Sequence, residues 1–181
     1  MDNGASSYRR FLDGDDNGFA EIVRDYKDGL ILYLNGIVGN FSLAEELMEE
    51  TFFKIITRKP KYRPTHSFKA WLYTIGRNVA LDHLRRHGRE TEISHRELAE
   101  ETDLERQYFL EERKIALHRA LKKLHPDYRQ ALWLLYFEGL SHAEAAAVMK
   151  KSDRQMRNLV YRGKIALKSE LSKEGFTDEE L

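Results

Sequence analysis

The chain has 181 residues, no cysteine and a mean hydropathy of −0.63. That length builds one domain or two small ones, the lack of cysteine excludes a disulfide framework and thiolate metal sites, and no apolar run is long enough to cross a bilayer. Lys plus Arg and Asp plus Glu both number 30, so the formal net charge is zero and only the distribution of charge is informative.

The signs are segregated. Residues 1–57 carry 5 basic and 11 acidic side chains, residues 58–89 carry 9 and 1, residues 90–112 carry 2 and 9, residues 113–172 carry 13 and 5, and residues 173–181 carry 1 and 4. Two basic blocks separated by an acidic one suit two footprints on one polyanion. The expected class is all-α, in two small helical domains joined by an acidic linker.

Residues 1–17 are polar, acidic and without a clean period, so a frayed start with no secretory signal is expected, and with it a cytoplasmic protein. Residues 18–36 read as a helix, with Phe19, Ile22, Val23, Tyr26, Leu30, Tyr33 and Leu34 on one stripe. Ser42-Leu43-Ala44-Glu45 has the form of a capping box opening a second helix to about residue 57. Leu43, Leu47, Thr51, Phe52, Ile55 and Ile56 would face inward, and Glu45, Glu46, Glu49 and Glu50 outward. The next segment holds Pro60 and Pro64, which forbid a regular helix. It is a basic loop with Lys61, Tyr62 and Arg63.

Ser67 then caps a helix over residues 68–86. Phe68, Trp71, Leu72, Ile75 and Val79 make its apolar stripe. Lys69, Tyr73, Arg77, Asn78, Arg85 and Arg86 are placed largely off that stripe. Cations hold phosphate and aromatic rings stack on unpaired bases, so this face suits nucleic acid. A solvated basic face would read the same way from this helix alone.

Residues 90–112 look like a linker whose charge repels DNA. A helical stripe returns with Ile115, Leu117, Ala120, Leu121 and Leu124. His125-Pro126-Asp127 caps a helix over residues 128–137. Ser141-His142-Ala143-Glu144 is a second capping box, opening a short helix to Met149, and Ser152-Asp153-Arg154-Gln155 a third, opening a long helix to about residue 171. Met156, Leu159, Val160, Gly163 and Leu167 face inward along it. A short helix, a tight turn and a longer basic helix make a helix-turn-helix, whose second helix enters the major groove. Arg and Gln pair there bidentately with guanine and adenine.

In this order the parts resemble an extracytoplasmic-function sigma factor, a small two-domain member of the sigma-70 family of bacterial RNA polymerase subunits. Three segments carry the likeness: residues 44–52 (AEELMEETF), residues 68–86 with Trp71-Leu72, Arg77-Asn78, Asp82 and Arg85-Arg86, and the helix-turn-helix within residues 121–171. The resemblance implies sigma domain two over residues 18–89, a linker over 90–112, sigma domain four over 113–172 and an acidic tail over 173–181. It implies core polymerase docking through Glu45, Glu46, Glu49 and Phe52. It implies −10 recognition and melting by Lys61, Tyr62, Arg63, Lys69, Trp71, Tyr73, Arg77, Asn78, Arg85 and Arg86. Recognition of −35 duplex would fall to Ser152, Arg154, Gln155, Arg157, Asn158, Arg162 and Lys164. Two departures from the family pattern stand out: Gln155-Met156-Arg157-Asn158 replaces a smaller Thr-Val-Lys-Ser type, and Gly163 stands where Ala is common. The implied partners are core RNA polymerase, promoter DNA and an anti-sigma factor, with no membrane insertion, no cofactor and no bond chemistry.

Two rival readings exist. His83 and His87 have the i, i+4 spacing of zinc ligands, but no Glu follows His83 and no third ligand is evident. Two surface histidines and no metal site are expected. A stand-alone helix-turn-helix regulator would instead be a homodimer on palindromic sites.

Overall fold

The computed structural model describes residues 3–91 and 112–175. Its elements are α1 (Asn3–Leu12), α2 (Asp16–Val38), α3 (Phe41–Arg58), α4 (Phe68–Thr91), α5 (Glu112–Lys123), α6 (Pro126–Leu132) running into a π-helical turn (Trp133–Phe137), α7 (His142–Met149) and α8 (Asp153–Lys173). Among the described residues there is no strand, and no helix is long and apolar enough to cross a membrane.

Helices α1 to α4 pack around Ile22, Leu30, Leu34, Leu47, Ile55, Phe68 and Leu72, all at or near zero exposure. The apolar stripes of α2 and α4 predict this. The expectation of a frayed N-terminus is corrected. Helix α1 buries Tyr8 and Phe11, and the Tyr8 hydroxyl donates to the Pro60 carbonyl at 2.7 Å. Tyr8 also packs its ring on Phe68 and Trp71. The signal was present but short: two large aromatics three residues apart suffice for a ten-residue helix that lies against other helices.

Helix starts follow their chemistry, with one correction. Helix α3 is capped by Asn40, whose side chain accepts the Leu43 N–H at 2.9 Å, so the 42–45 capping box is not the operative cap. The boxes Ser141–Glu144 and Ser152–Gln155 are both formed, each with reciprocal bonds. His125 caps α6 through its ring nitrogen. The helix expected over 128–137 divides. After Leu132 the chain widens into a π turn closed by the Glu138 N–H to the Trp133 carbonyl at 3.1 Å, with the Trp133 and Phe137 rings stacked at 4.3 Å. Such wide turns are uncommon and cluster at functional positions.

The second half packs around Leu121, Leu132, Leu134, Ala145, Val148 and Met156. Its core is continuous with that of the first half. Helix α7 lies on α4, and α6 lies on α2. The alternating charge along the chain thus folds so that the two basic segments belong to two helical units in direct contact. The acidic segment between them lies outside the described residues over 92–111, as does the tail over 176–181.

Candidate nucleic-acid interface

Helix α8 carries the simplest arrangement. Ser152 fixes its first turn by accepting the Gln155 N–H at 3.2 Å. The amphipathic spacing buries Met156, Val160 and Gly163 against the domain. The opposite face then presents Arg154, Gln155, Arg157, Asn158, Arg162 and Lys164 to solvent, as expected. Two of these have partial commitments. The Gln155 side-chain oxygen accepts the Ser152 N–H at 2.8 Å, so pairing with adenine through both ends of that amide would break the cap. The Lys164 ammonium sits 5.0 Å above the Tyr136 ring.

Helix α4 is different. Its N-terminus is fixed by Ser67, whose hydroxyl accepts the Ala70 N–H at 3.3 Å. Arg85 and Arg86 at its far end are exposed, as are Lys61 and Arg63 in the loop, and Asn78 is half-buried. Arg85 is paired with Asp82 at 3.0 Å. Tyr62 is half-buried, donates to the His66 carbonyl and lays its ring edgewise on Phe68 and Trp71. Trp71 touches Tyr8, Tyr62 and Phe68, so its main work is packing.

Tyr73 and Arg77 correct the expectation of an open face. Tyr73 is 0% exposed and Arg77 is 8% exposed. Tyr73 packs its ring at 5.2 Å from that of Tyr33 on α2. Burial pushes its hydroxyl well above the ordinary tyrosine range, and the neighbouring Glu138 carboxylate adds to the shift. Arg77 Nε donates to Gln130 Oε1 at 2.9 Å. Lys69 donates to the Glu138 carbonyl at 3.0 Å and lies 3.3 Å from its carboxylate. The face of α4 that the sequence left outward is therefore covered by α6, the π turn and α7.

Two further contacts join the halves. Arg129 Nε and one terminal nitrogen donate to the Leu121, Lys122 and Leu124 carbonyls at the end of α5, while Nη1 donates to the Gly36 carbonyl on α2 at 2.8 Å. Burial lowers its affinity for its proton, and these carbonyls are what make a buried guanidinium tolerable. Glu144 accepts the Ser67 N–H at 3.1 Å and the Ser141 N–H at 2.9 Å. Burial alone would raise its carboxyl, but the hydrogen bonds from Ser67 and Ser141 hold it down to about 2. One carboxylate thus serves the starts of α4 and α7 together.

On α3, Glu46 and Glu49 are exposed and Glu45 is half-buried, but Phe52 is only 6% exposed and packs inside the domain. Its assignment to a docking surface is corrected. Phe53 is 65% exposed, and Ile56, expected inside, is 41% exposed. Phe52 and Phe53 lie about 100° apart around one continuous helix, which here turns the first into the core and the second to solvent. His83 and His87 stack on each other at 4.4 Å, and among the described residues no group of three His, Asp or Glu side chains could hold a metal.

Two helical units, the second ending in a helix-turn-helix with an exposed basic recognition helix, define a DNA-binding protein of the transcription class. Residues 22–90 match the family model Sigma-70 region 2, and residues 114–167 match Sigma-70, region 4. The chain is 32% identical over 158 residues to the RNA polymerase sigma factor CarQ of Myxococcus xanthus, covering 85% of this chain and 89% of CarQ. It is 31% identical over 154 residues to the ECF RNA polymerase sigma factor BldN of Streptomyces coelicolor, covering 82% of this chain but only 58% of BldN's own length. The fold is similar to that of a sigma factor RpoE from Bartonella quintana, crystallised with the anti-sigma factor NepR, with a TM-score of 0.66, 23% identity and coverage of 85% of this chain and 96% of that one. The chain belongs to the extracytoplasmic-function sigma factors of the sigma-70 family.

Proposed function

We propose that this protein is an alternative sigma factor that binds core RNA polymerase, directs it to particular promoters and assists their melting. The observation that carries this reading is the pairing, in one chain, of an acidic exposed helix face on α3 with an exposed basic face on the recognition helix α8. Glu45, Glu46 and Glu49 would dock on the polymerase, with Phe53 and Ile56 supplying apolar area beside them. Arg154, Arg157, Asn158 and Arg162 would enter the −35 major groove, with Gln155 serving first as a cap. Lys69, Tyr73, Arg77 and Asn78, together with the 61–63 loop and Arg85-Arg86, would hold the melted −10 strand.

The protein would make and break no bond. Its work is positional: phosphate contacts set register, base-edge contacts give sequence preference, and base contacts offset unstacking, which costs a few kcal/mol per base. Stacking returns roughly 1–3 kcal/mol per base, so opening relies on the added binding energy of the polymerase. The expected location is the cytoplasm, and an anti-sigma factor is the expected inhibitor. The test is runoff transcription with core polymerase over a promoter library. Specific transcripts that vanish with Glu46→Arg, while the variant keeps its helical signal, would support the reading. A homodimer that never associates with core polymerase would replace it with a stand-alone regulator.

A further inference from the structure

None of the residues assigned to polymerase or promoter lies in the π turn Trp133–Phe137. Such a turn gives up regular helical bonds and is found frequently at functional sites. Here it forms one wall of a cleft of about 300 Å³. A second wall is α5, whose Lys114, Leu117, His118 and Leu121 recur at i, i+3, i+4 and i+7 and so share one face. Leu32 of α2 and Glu138 complete the lining.

The lining divides into an apolar body and a positive edge. Trp133 and Phe137 stack with their planes 6° apart, and Phe137 is 43% exposed, which leaves aromatic surface open to a further ring. The three leucines add aliphatic surface. The Glu138 carboxylate is already matched by the Lys69 ammonium at 3.3 Å, the Trp133 indole N–H at 3.1 Å and the Tyr73 hydroxyl. It therefore asks for no cation from a ligand. Lys114 stands at the exposed rim, and the buried His118 supplies a ring nitrogen inside.

A narrower recess continues past His118 and Trp133 to Arg129. The Arg129 guanidinium donates to the carbonyls of Leu121, Lys122, Leu124 and Gly36, all of them uncharged groups. Its positive charge is thus held but not cancelled, and in surroundings of low dielectric it attracts an anion from beyond contact distance. We propose that the cleft binds a small aromatic carboxylate, with the ring on Trp133 and Phe137 and the carboxylate between Lys114 and His118. The space equals that of roughly ten waters at about 30 Å³ each, so it suits one or two rings rather than a long chain. The site is independent of the polymerase and promoter assignments.

Three probes share one body and differ in charge: cinnamate, cinnamyl alcohol and cinnamylamine. Each is titrated into the full-length protein, and the indole N–H resonances of its 2 tryptophans are followed in a heteronuclear correlation spectrum. Trp133 lines the cleft, whereas Trp71 packs on Tyr8 and Phe68 and serves as the control. The Trp133 signal is identified by its loss in Trp133→Phe. Lys114→Glu reverses the charge at the exposed rim, and Leu32→Trp fills the cleft from a half-buried position.

Cinnamate should shift the Trp133 resonance saturably, with half-saturation at about 1 mM or below, and leave Trp71 in place. The alcohol and the amine should bind about tenfold more weakly or worse, the scale of a charge-assisted hydrogen bond. Lys114→Glu should weaken cinnamate about fivefold, the scale of one exposed ion pair, without changing the alcohol. Leu32→Trp should abolish binding of all three. No saturable shift at Trp133, or one that survives Leu32→Trp, would overturn the site. Equal binding of the three probes would overturn its preference for an anion. If Leu32→Trp does not fold, Lys114→Glu decides, and cinnamate binding that ignores that reversal overturns the proposal.

Discussion

Two basic helices in this protein have similar compositions and opposite situations. On α8 the cations point into solvent, and the domain behind them supplies only support. On α4 the corresponding cations Lys69 and Arg77 are already engaged by protein groups, and the aromatic ring between them is fully buried. Duplex DNA offers phosphates and groove edges without being opened, so a reader of duplex can stand ready. A binder of unpaired bases needs an apolar, ring-lined surface, and such a surface left bare in water is costly. The difference teaches that this face of α4 is finished by a partner, and in this structure the partner is the protein's own second half.

The sharpest way to break the comparison is Arg129→Ala. It leaves carbonyls of α5 and Gly36 without their donor, and since a buried acceptor left unsatisfied costs about 1–3 kcal/mol, the loss of several together should remove about 3–5 kcal/mol. The midpoint of the helical signal on heating should fall by roughly 6–20 °C at about 2–4 °C per kcal/mol. A fall of a degree or two would show that Arg129 does not hold the halves together. Arg157→Ala works on the other side. It should weaken holoenzyme binding to −35 duplex by about 1–3 kcal/mol, with no change in thermal midpoint and none in the separation of the halves. A stability loss instead would move Arg157 from the groove to the scaffold.

Acid gives a third, smaller effect with a definite sign. Glu144 has a depressed carboxyl in the folded protein, about 2 against roughly 4.3 in an unfolded chain. Its contribution is fully present above about pH 4.5 and is lost as pH falls toward 2. Comparing acid unfolding of the wild type and Glu144→Gln should show a shallower slope for the variant in that window. Equal slopes would mean the carboxylate is not held by Ser67 and Ser141 in solution. The smallest expected effect is Ser152→Ala. Loss of one cap costs about 1 kcal/mol, frees the Gln155 amide, and should alter sequence preference at the upstream element more than overall affinity.

Much of the architecture was legible because helical period and caps are local. The apolar stripe of Phe68, Leu72 and Val79 and the boxes at Ser141 and Ser152 needed no tertiary information. Helix α1 was missed because its pattern is only two aromatics in a polar run. Ile56 changed sides because its position sits at the edge of the α3 stripe, where a small rotation decides burial, whereas Phe52 lies inside as its place on the stripe predicts and only its docking role, implied by the resemblance, falls away. Tyr73 and Arg77 were misplaced for a deeper reason. A one-helix pattern separates a packing side from the rest, but it does not tell solvent from a second domain. That knowledge lay more than fifty residues away, in Gln130 and Glu138, and its local trace was Gly29 and Gly36 on α2, where a Cβ would meet Tyr73 and Glu138 in one case and Arg129 in the other.

The shared carboxylate of Glu144 has a consequence for how this molecule comes apart. It completes the N-terminus of a helix in each half, so separation leaves α7 with its own Ser141–Glu144 box but returns the Ser67 N–H to water. The penalty falls on one side alone. Parting the halves should loosen the first turn of α4, around Ser67 and Lys69, while the helix-turn-helix departs with its geometry whole. In exchange terms, the Ser67 amide should be the early reporter of every opening event, trading its proton on the timescale of domain separation rather than of unfolding.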